Sequence, residues 1–246
     1  KSAASALLAR IYQIMGKHDK AMTTALRTLA KNNKLLNYNT LSGVLTTTLN
    51  PFPNALPSGN EEVIFFATPV GYSFNARSLK VDSTIYRSFA VNDLRKQNYF
   101  IERAVRDVNL KGTYGGSAGA FRGLANDELY LIVAESLARS GKTTEAMEQL
   151  NTLLRTRWKT GTYQNLAATD AKSALQLILA DRKKSLFSRG LRWGDLRRLN
   201  QDPETAVTLE RNLNGVRYSL PPGGSRYTFS IPDDELAGGK LIQNPR

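Results

Sequence analysis

Two glycines set 125 residues apart constrain this chain more than any other feature. When Gly16 is laid on Gly141, Ala9, Ala21, Met22 and Leu29 fall on Ala134, Ala146, Met147 and Leu154, and Lys17 falls on Lys142. In each copy a small residue (Ala9, Ala134) is followed three positions later by a large one (Tyr12, Leu137) and twelve later by another small one (Ala21, Ala146). Small residues let two antiparallel helices approach closely, the large residue fills the seam above them, and the glycine ends the first helix where a left-handed backbone is needed. The pattern predicts two helical hairpins, over about 3–31 and 127–157.

This is tetratricopeptide spacing. Units of this kind cannot bury their apolar faces alone and stack beside neighbours. Either these two meet in space while the segment between them loops out, or each stacks on helices outside this sequence. The expected fold is mainly α: one domain over 1–246 with the hairpins as scaffold and a loop-rich part carrying a few short strands. That loop-rich part runs over about 40–123. Asn50–Asn60, with three prolines, reads as an irregular loop, Glu62–Ala67 as a strand, and Pro69–Phe74 as a loop tip. Leu79–Asn92 reads as a helix, Asp93–Phe100 as a turn followed by an extended piece, and glycine-rich Lys111–Gly123 as an exposed, permissive backbone. Thr169 is the expected N-cap of a helix with apolar Leu175, Ile178, Leu179 and Leu186 that runs into Gly190 as its C-cap. Beyond Asn200 the pattern weakens into an irregular tail over 201–246, with Tyr227–Ile231 as a short strand.

Catalytic and metal chemistry finds little support. Gly141, Lys142 and Thr143 mimic the end of a phosphate-binding loop, but Ser136 stands where its first glycine belongs, and a helical hairpin replaces the strand that must lead in. Gly115, Gly116 and Gly119 lack the flanking strand and helix of a dinucleotide site. The single histidine, His18, reads as a surface residue, and Asp233, Asp234 and Glu235 as a solvated helix start. No spacing supplies a positioned acid, base or nucleophile, so the expectation is a non-enzyme with no cofactor and no metal. With no cysteine there is no disulfide framework and no thiolate chemistry. No apolar run approaches the roughly 18 residues of a membrane span. The opening on Lys1, without Met or an apolar signal core, reads as a processed or truncated fragment. Carbohydrate binding needs only rings that stack on sugar faces, and Tyr72, Phe74, Tyr114, Trp158 and Tyr163 are the ring candidates. Of these, Tyr72, Tyr114 and Trp158 are the expected ligand contacts, chosen for loop or helix-end positions beside glycine or flexible segments.

Asp181–Asn200 packs seven basic residues and Trp193 into a helix-like pattern broken at Gly190. Together with the net charge of +13 it suggests a basic helical-repeat adaptor that binds protein or nucleic acid. A helical wheel points the other way: Arg182, Lys183, Lys184 and Arg189 spread around the axis rather than forming one stripe. On this second reading Gly190 permits a bend, Arg192 pairs with Asp195, and Trp193 packs in the core, so that Trp193→Ala costs roughly 3 to 5 kcal/mol.

The wording of this block, DRKK, RGLRW and DLRR, resembles the signature of the SusD/RagB family, the outer-membrane lipoproteins of Bacteroidetes that bind glycans, or in some members peptides, beside a TonB-dependent transporter. Glu61–Ala67, Asn92–Phe100, Glu128–Arg139, Asn151–Trp158 and the closing Gln243, Asn244 and Pro245 resemble further family elements in family order. The resemblance implies a helical scaffold whose face docks on a SusC-like transporter barrel, and loops that carry an oligosaccharide or peptide ligand. It also implies the extracellular face of the outer membrane, a lipid anchor lying outside this sequence, and no nucleic acid. Many members carry acidic residues where this chain has Ser185 and Arg189, which removes those ion pairs from the expectation.

Overall fold

A computed structural model of the chain describes residues 1–41, 52, 59–68, 80–105, 107–112, 114 and 121–246. The repeat folds as its spacing requires. Helices α1 (Ser2–Ile14) and α2 (His18–Leu29) form the first hairpin, and the second is formed further along by α5 (Asn126–Arg139) and α6 (Thr143–Arg155). Ala9, Ala21, Ala134 and Ala146 are completely buried at the two crossings. Gly16 and Gly141 take φ of +70° and +79°. In both turns the glycine N–H bonds back three residues and the following lysine N–H five, Lys17 to Tyr12 O at 2.8 Å and Lys142 to Leu137 O at 3.0 Å. This is the Schellman closure, which satisfies carbonyls a helix end would otherwise leave open.

The two hairpins meet in space. Ala21, Ala25 and Leu29 of α2 share one core with Leu129, Ile132 and Val133 of α5. On the far side α7 (Ala171–Ser185) lays Ala174 and Ile178 against Leu131, Leu150 and Leu153 in a second core. The N-cap of α7 is Asp170 and not Thr169: its carboxylate accepts from Ser173 N–H, and Ser173 bonds back to close a capping box. α7 ends at Ser185, short of Gly190, because the chain turns through left-handed backbone at Ser188 (φ 61°) and Gly190 (φ 75°).

The segment between the hairpins builds a third core of aromatic rings, among them Tyr38, Phe52, Phe89, Tyr99, Phe100, Tyr114 and Phe121, which meet mostly edge to face. Strand β1 (Val63–Phe65), expected from Glu62–Ala67, pairs antiparallel with β4 (Leu124–Ala125) beside the hairpins. Three expectations are corrected here. The helix expected over Leu79–Asn92 shrinks to α3 (Ser83–Arg87): Val81 instead donates its backbone N–H to Val108 O at 2.8 Å, and Asp82 caps the helix from there. The turn and extended piece expected over Asp93–Phe100 is a helix, α4 (Leu94–Tyr99), capped by Asp93, with the extended chain beginning only at β2 (Phe100–Ala104), which pairs with β3 (Asp107–Leu110). The glycine-rich stretch is not exposed where it is described, since Lys111, Tyr114, Phe121 and Gly123 are all buried. The loop tip 69–74 lies outside the described residues, as does most of the proline-rich loop.

Residues Lys1–Leu191 form one compact unit and Arg192–Arg246 another. The second is more regular than the irregular tail expected of it. After α8 (Arg192–Leu199) comes a hairpin of β5 (Leu209–Leu213) and β6 (Val216–Leu220), turned by Asn214 and Gly215 at φ of 51° and 82°. Asn-Gly supplies the two left-handed residues that a type I′ turn demands. Tyr227–Ile231 is not a strand: Ser225–Tyr227 closes a 3-10 turn, and α9 (Asp233–Gly238) follows with acidic residues in its first turn. Trp193 is half-buried, stacked on Phe229 at 5.3 Å and donating to Tyr227 O at 3.2 Å. Asp195 pairs with Arg198 at 2.9 Å. No helix among the described residues is long and apolar enough to cross a membrane.

Candidate functional site

The basic block divides its guanidinium groups: Arg182 and Arg189 are buried, Arg192 and Arg198 half-buried, and Arg197 exposed. α7 carries Asp181 and Ser185 one turn apart, and Arg95 reaches both from α4: its Nη1 donates to Ser185 Oγ at 2.7 Å and lies 2.9 Å from Asp181, while its other edge forks onto Asp93 at 2.9 and 2.7 Å. Ser185, standing where an acid was expected, donates to Asp181 at 2.9 Å and so relays between that carboxylate and Arg95. Arg189, also at a position expected to be acidic, forks onto Asp127 of α5 at 2.8 and 2.5 Å and covers the ring of Tyr114 at 4.3 Å. From the end of α6, Arg157 donates to Glu62 at 2.6 Å and to Leu36 O at 2.6 Å.

Three tyrosine hydroxyls join these pairs. Tyr38 lies 3.0 Å from Tyr99 and donates to Tyr114 at 2.9 Å, and Tyr114 lies 2.9 Å from Glu62 and 3.2 Å from Asp127. The Tyr114 hydroxyl thus has one proton for two carboxylates. Burial pushes Glu62 up to about 6 against the opposing pull of Arg157, with Asp127 adding to the rise. Burial alone would lower Arg95 and Arg189, but Asp181 and Asp93 for the one, and Asp127 for the other, hold both above the ordinary guanidinium value. The hydroxyls of Tyr38 and Tyr114 are raised well above theirs, chiefly by burial. The network joins α4, α5, α7 and the chain just past α6, and its side chains are buried, with Asp93 also lining a cleft.

The expected ligand contacts separate accordingly. Tyr114 is fully enclosed within this network, between Phe52 and Phe121 and under Arg189, with no ring face toward solvent. Trp158 is half-buried, packs on Tyr163 at 5.5 Å, and joins Asp93 through a backbone bridge. Tyr72 and Phe74 lie outside the described residues. Beside Asp93 opens a cleft of about 270 Å³ lined by Tyr86, Lys96, Gln97, Phe100, Glu102 and Lys111. Sequence reasoning missed it, because the long helix expected over Leu79–Asn92 and the extended stretch expected over Asp93–Phe100 place Tyr86 and Lys96 on unrelated elements. A larger cleft of about 650 Å³ lies between the two hairpin turns, where Lys17, Lys20 and Arg139 line it.

The sequence profile of the SusD family matches residues 90–241, more than half of the chain, and this span holds Asp93, Arg95, Asp127, Arg157, Asp181 and Arg189. The chain belongs to the SusD family. Solved structures similar to this SusD-family chain include a SusD superfamily protein from Bacteroides thetaiotaomicron (21% identity, TM-score 0.70, covering 100% of this chain and 60% of that one). A SusD superfamily protein from Bacteroides vulgatus is alike at 19% identity and TM-score 0.70, over 99% of this chain and 59% of that one. Surface glycan-binding protein A from Bacteroides uniformis is alike at 17% identity and TM-score 0.65, over 98% and 60%. The likeness establishes the shared fold. This SusD-family chain spans about 60% of the length of these relatives. No curated protein sequence matches it.

Proposed function

We propose that the protein binds glycans at the cell surface without catalysis and delivers them to a partner TonB-dependent transporter of the outer membrane. The observation that carries this reading is membership of the SusD family. Similarity to a surface glycan-binding protein from Bacteroides uniformis supports the ligand class. The burial of Arg189 of the basic block supports the reading against its rival, a nucleic-acid adaptor, because Arg189, like Arg95 and Arg157 outside the block, is spent on an internal carboxylate and is unavailable to a polyanion. The extracellular face of the outer membrane, a lipid anchor and docking of the helical scaffold on a SusC-like barrel complete the proposal. Of the expected contacts, half-buried Trp158 and Tyr72 remain the proposed ligand contacts.

A glycan and peptide array on the purified protein, together with co-purification from outer membranes, tests the reading. Oligosaccharide binding with retention of a barrel protein is the expected result. Capture of neither a ligand nor a barrel overturns it, and binding of peptides alone replaces glycans as the ligand class.

A further inference from the structure

Lys111 is 3% exposed, yet it has no ion pair among the described residues, and the remaining segments contain no Asp or Glu. Its ammonium makes one hydrogen bond, to Gln97 O at 2.7 Å, out of the three an ammonium can donate. Three other deeply buried cations of this unit, Arg95, Arg157 and Arg189, behave differently, each holding a carboxylate at 2.5 to 2.7 Å. A buried charge without an anion is costly, and desolvation accordingly lowers the pKa of Lys111. This lone cation lines the cleft formed by α3, α4 and β2.

Two carboxylates line that cleft, and each has a partner within the protein. Asp93 is forked by Arg95, and Glu102 accepts from the Tyr86 hydroxyl at 3.0 Å. Lys96 covers the ring face of Tyr86 at 4.7 Å, and Val91, Phe100 and Ile101 give the cleft an apolar lining beside its charged groups. We propose, building on the glycan-binding reading, that this cleft binds the carboxylate of an acidic sugar residue, with Lys111 as its counter-ion. Gln97, Glu102 and Lys96 around it offer both donors and acceptors, which suit the hydroxyls flanking a uronic acid carboxylate. At about 270 Å³ the cleft is smaller than the roughly 300–1,000 Å³ of sites that enclose a whole small ligand, which suits one residue of a longer polymer.

Calorimetric titration of the full chain with galacturonate, glucuronate and guluronate oligosaccharides, each beside its carboxyl-methylated form, with neutral oligosaccharides and with polyglutamate, tests the proposal. At least one acidic oligosaccharide should bind tenfold or more tightly than its methyl ester, and Lys111→Gln should abolish that preference. Lys96→Gln, a change at a less buried position that leaves the core intact, should weaken the acidic ligand severalfold. Equal binding of acid and ester, or an acid preference that survives Lys111→Gln, overturns the proposal while any glycan binding keeps the broader reading alive. Polyglutamate binding without any oligosaccharide, or no binding at all, sinks both.

Discussion

At the scale of single residues, three arginines and four carboxylates decide much of what this chain can tolerate. Arg95→Leu strands Asp93 and Asp181 in the interior, and breaking a buried pair from one side costs about 3 to 5 kcal/mol. Urea unfolding measures it, and a loss below about 1 kcal/mol would mean that water reaches these carboxylates. Glu62 gives a pH signature. In the folded protein it keeps its proton up to about 6, against an ordinary 4.5, so the folded state binds more protons than the unfolded chain between those values. Its contribution is therefore fully present below 4.5 and is lost as pH rises through 6. The wild type should lose about 2 kcal/mol across that window relative to Glu62→Gln. Parallel stability curves for the two proteins from pH 4.5 to 6.5 would refute this. None of the cross-chain pairs was legible in the sequence, because the partners stand 62 to 95 residues apart and no local spacing marks them. Family wording located the block, but its chemistry at Ser185 and Arg189 came only with the coordinates.

At the scale of elements, legibility followed the range of the forces. The hairpins could be read because a left-handed glycine and small residues at fixed offsets are local demands. The Asn214-Gly215 hairpin was equally local and was overlooked in a stretch whose charged residues hide the strand alternation. α3 and α4 were misread because two aspartates, Asp82 and Asp93, act as caps, and a cap is known only when the chain before it is seen to be extended. Gly141→Ala meets nothing within 4 Å, so it carries only the backbone cost of φ +79°, about 1 to 2 kcal/mol. Gly123→Ala should cost more, since its Cβ would overlap the Phe65 carbonyl and the Phe121 ring and force β1 from β4. Thermal unfolding of the pair tests that order, and equal losses would contradict it. Trp193→Ala, expected from sequence to cost 3 kcal/mol or more, should now fall short of that figure, because half-buried rings forfeit less than enclosed ones.

At the scale of the whole molecule, the net charge of +13 remains to be accounted for. With Arg95, Arg157 and Arg189 held by internal carboxylates, duplex DNA should be held only loosely. Affinity should fall linearly in log–log terms with salt and be negligible near physiological ionic strength. Tight binding in 0.15 M salt, measured by fluorescence anisotropy, would revive the adaptor reading.

The separation between ion-pair partners also governs how the chain comes into being. Arg189 emerges 62 residues after Asp127, Arg157 emerges 95 after Glu62, and Asp181 emerges 86 after Arg95. A growing polypeptide that stops before Arg189 holds Asp127 without its cation, so the interior cannot close until that residue has left the ribosome. Long-range closure of this kind slows folding. Within the unit Lys1–Leu191 the Asp127–Arg189 pair should therefore form late, and a fragment cut before Arg189 should be less stable than the full unit.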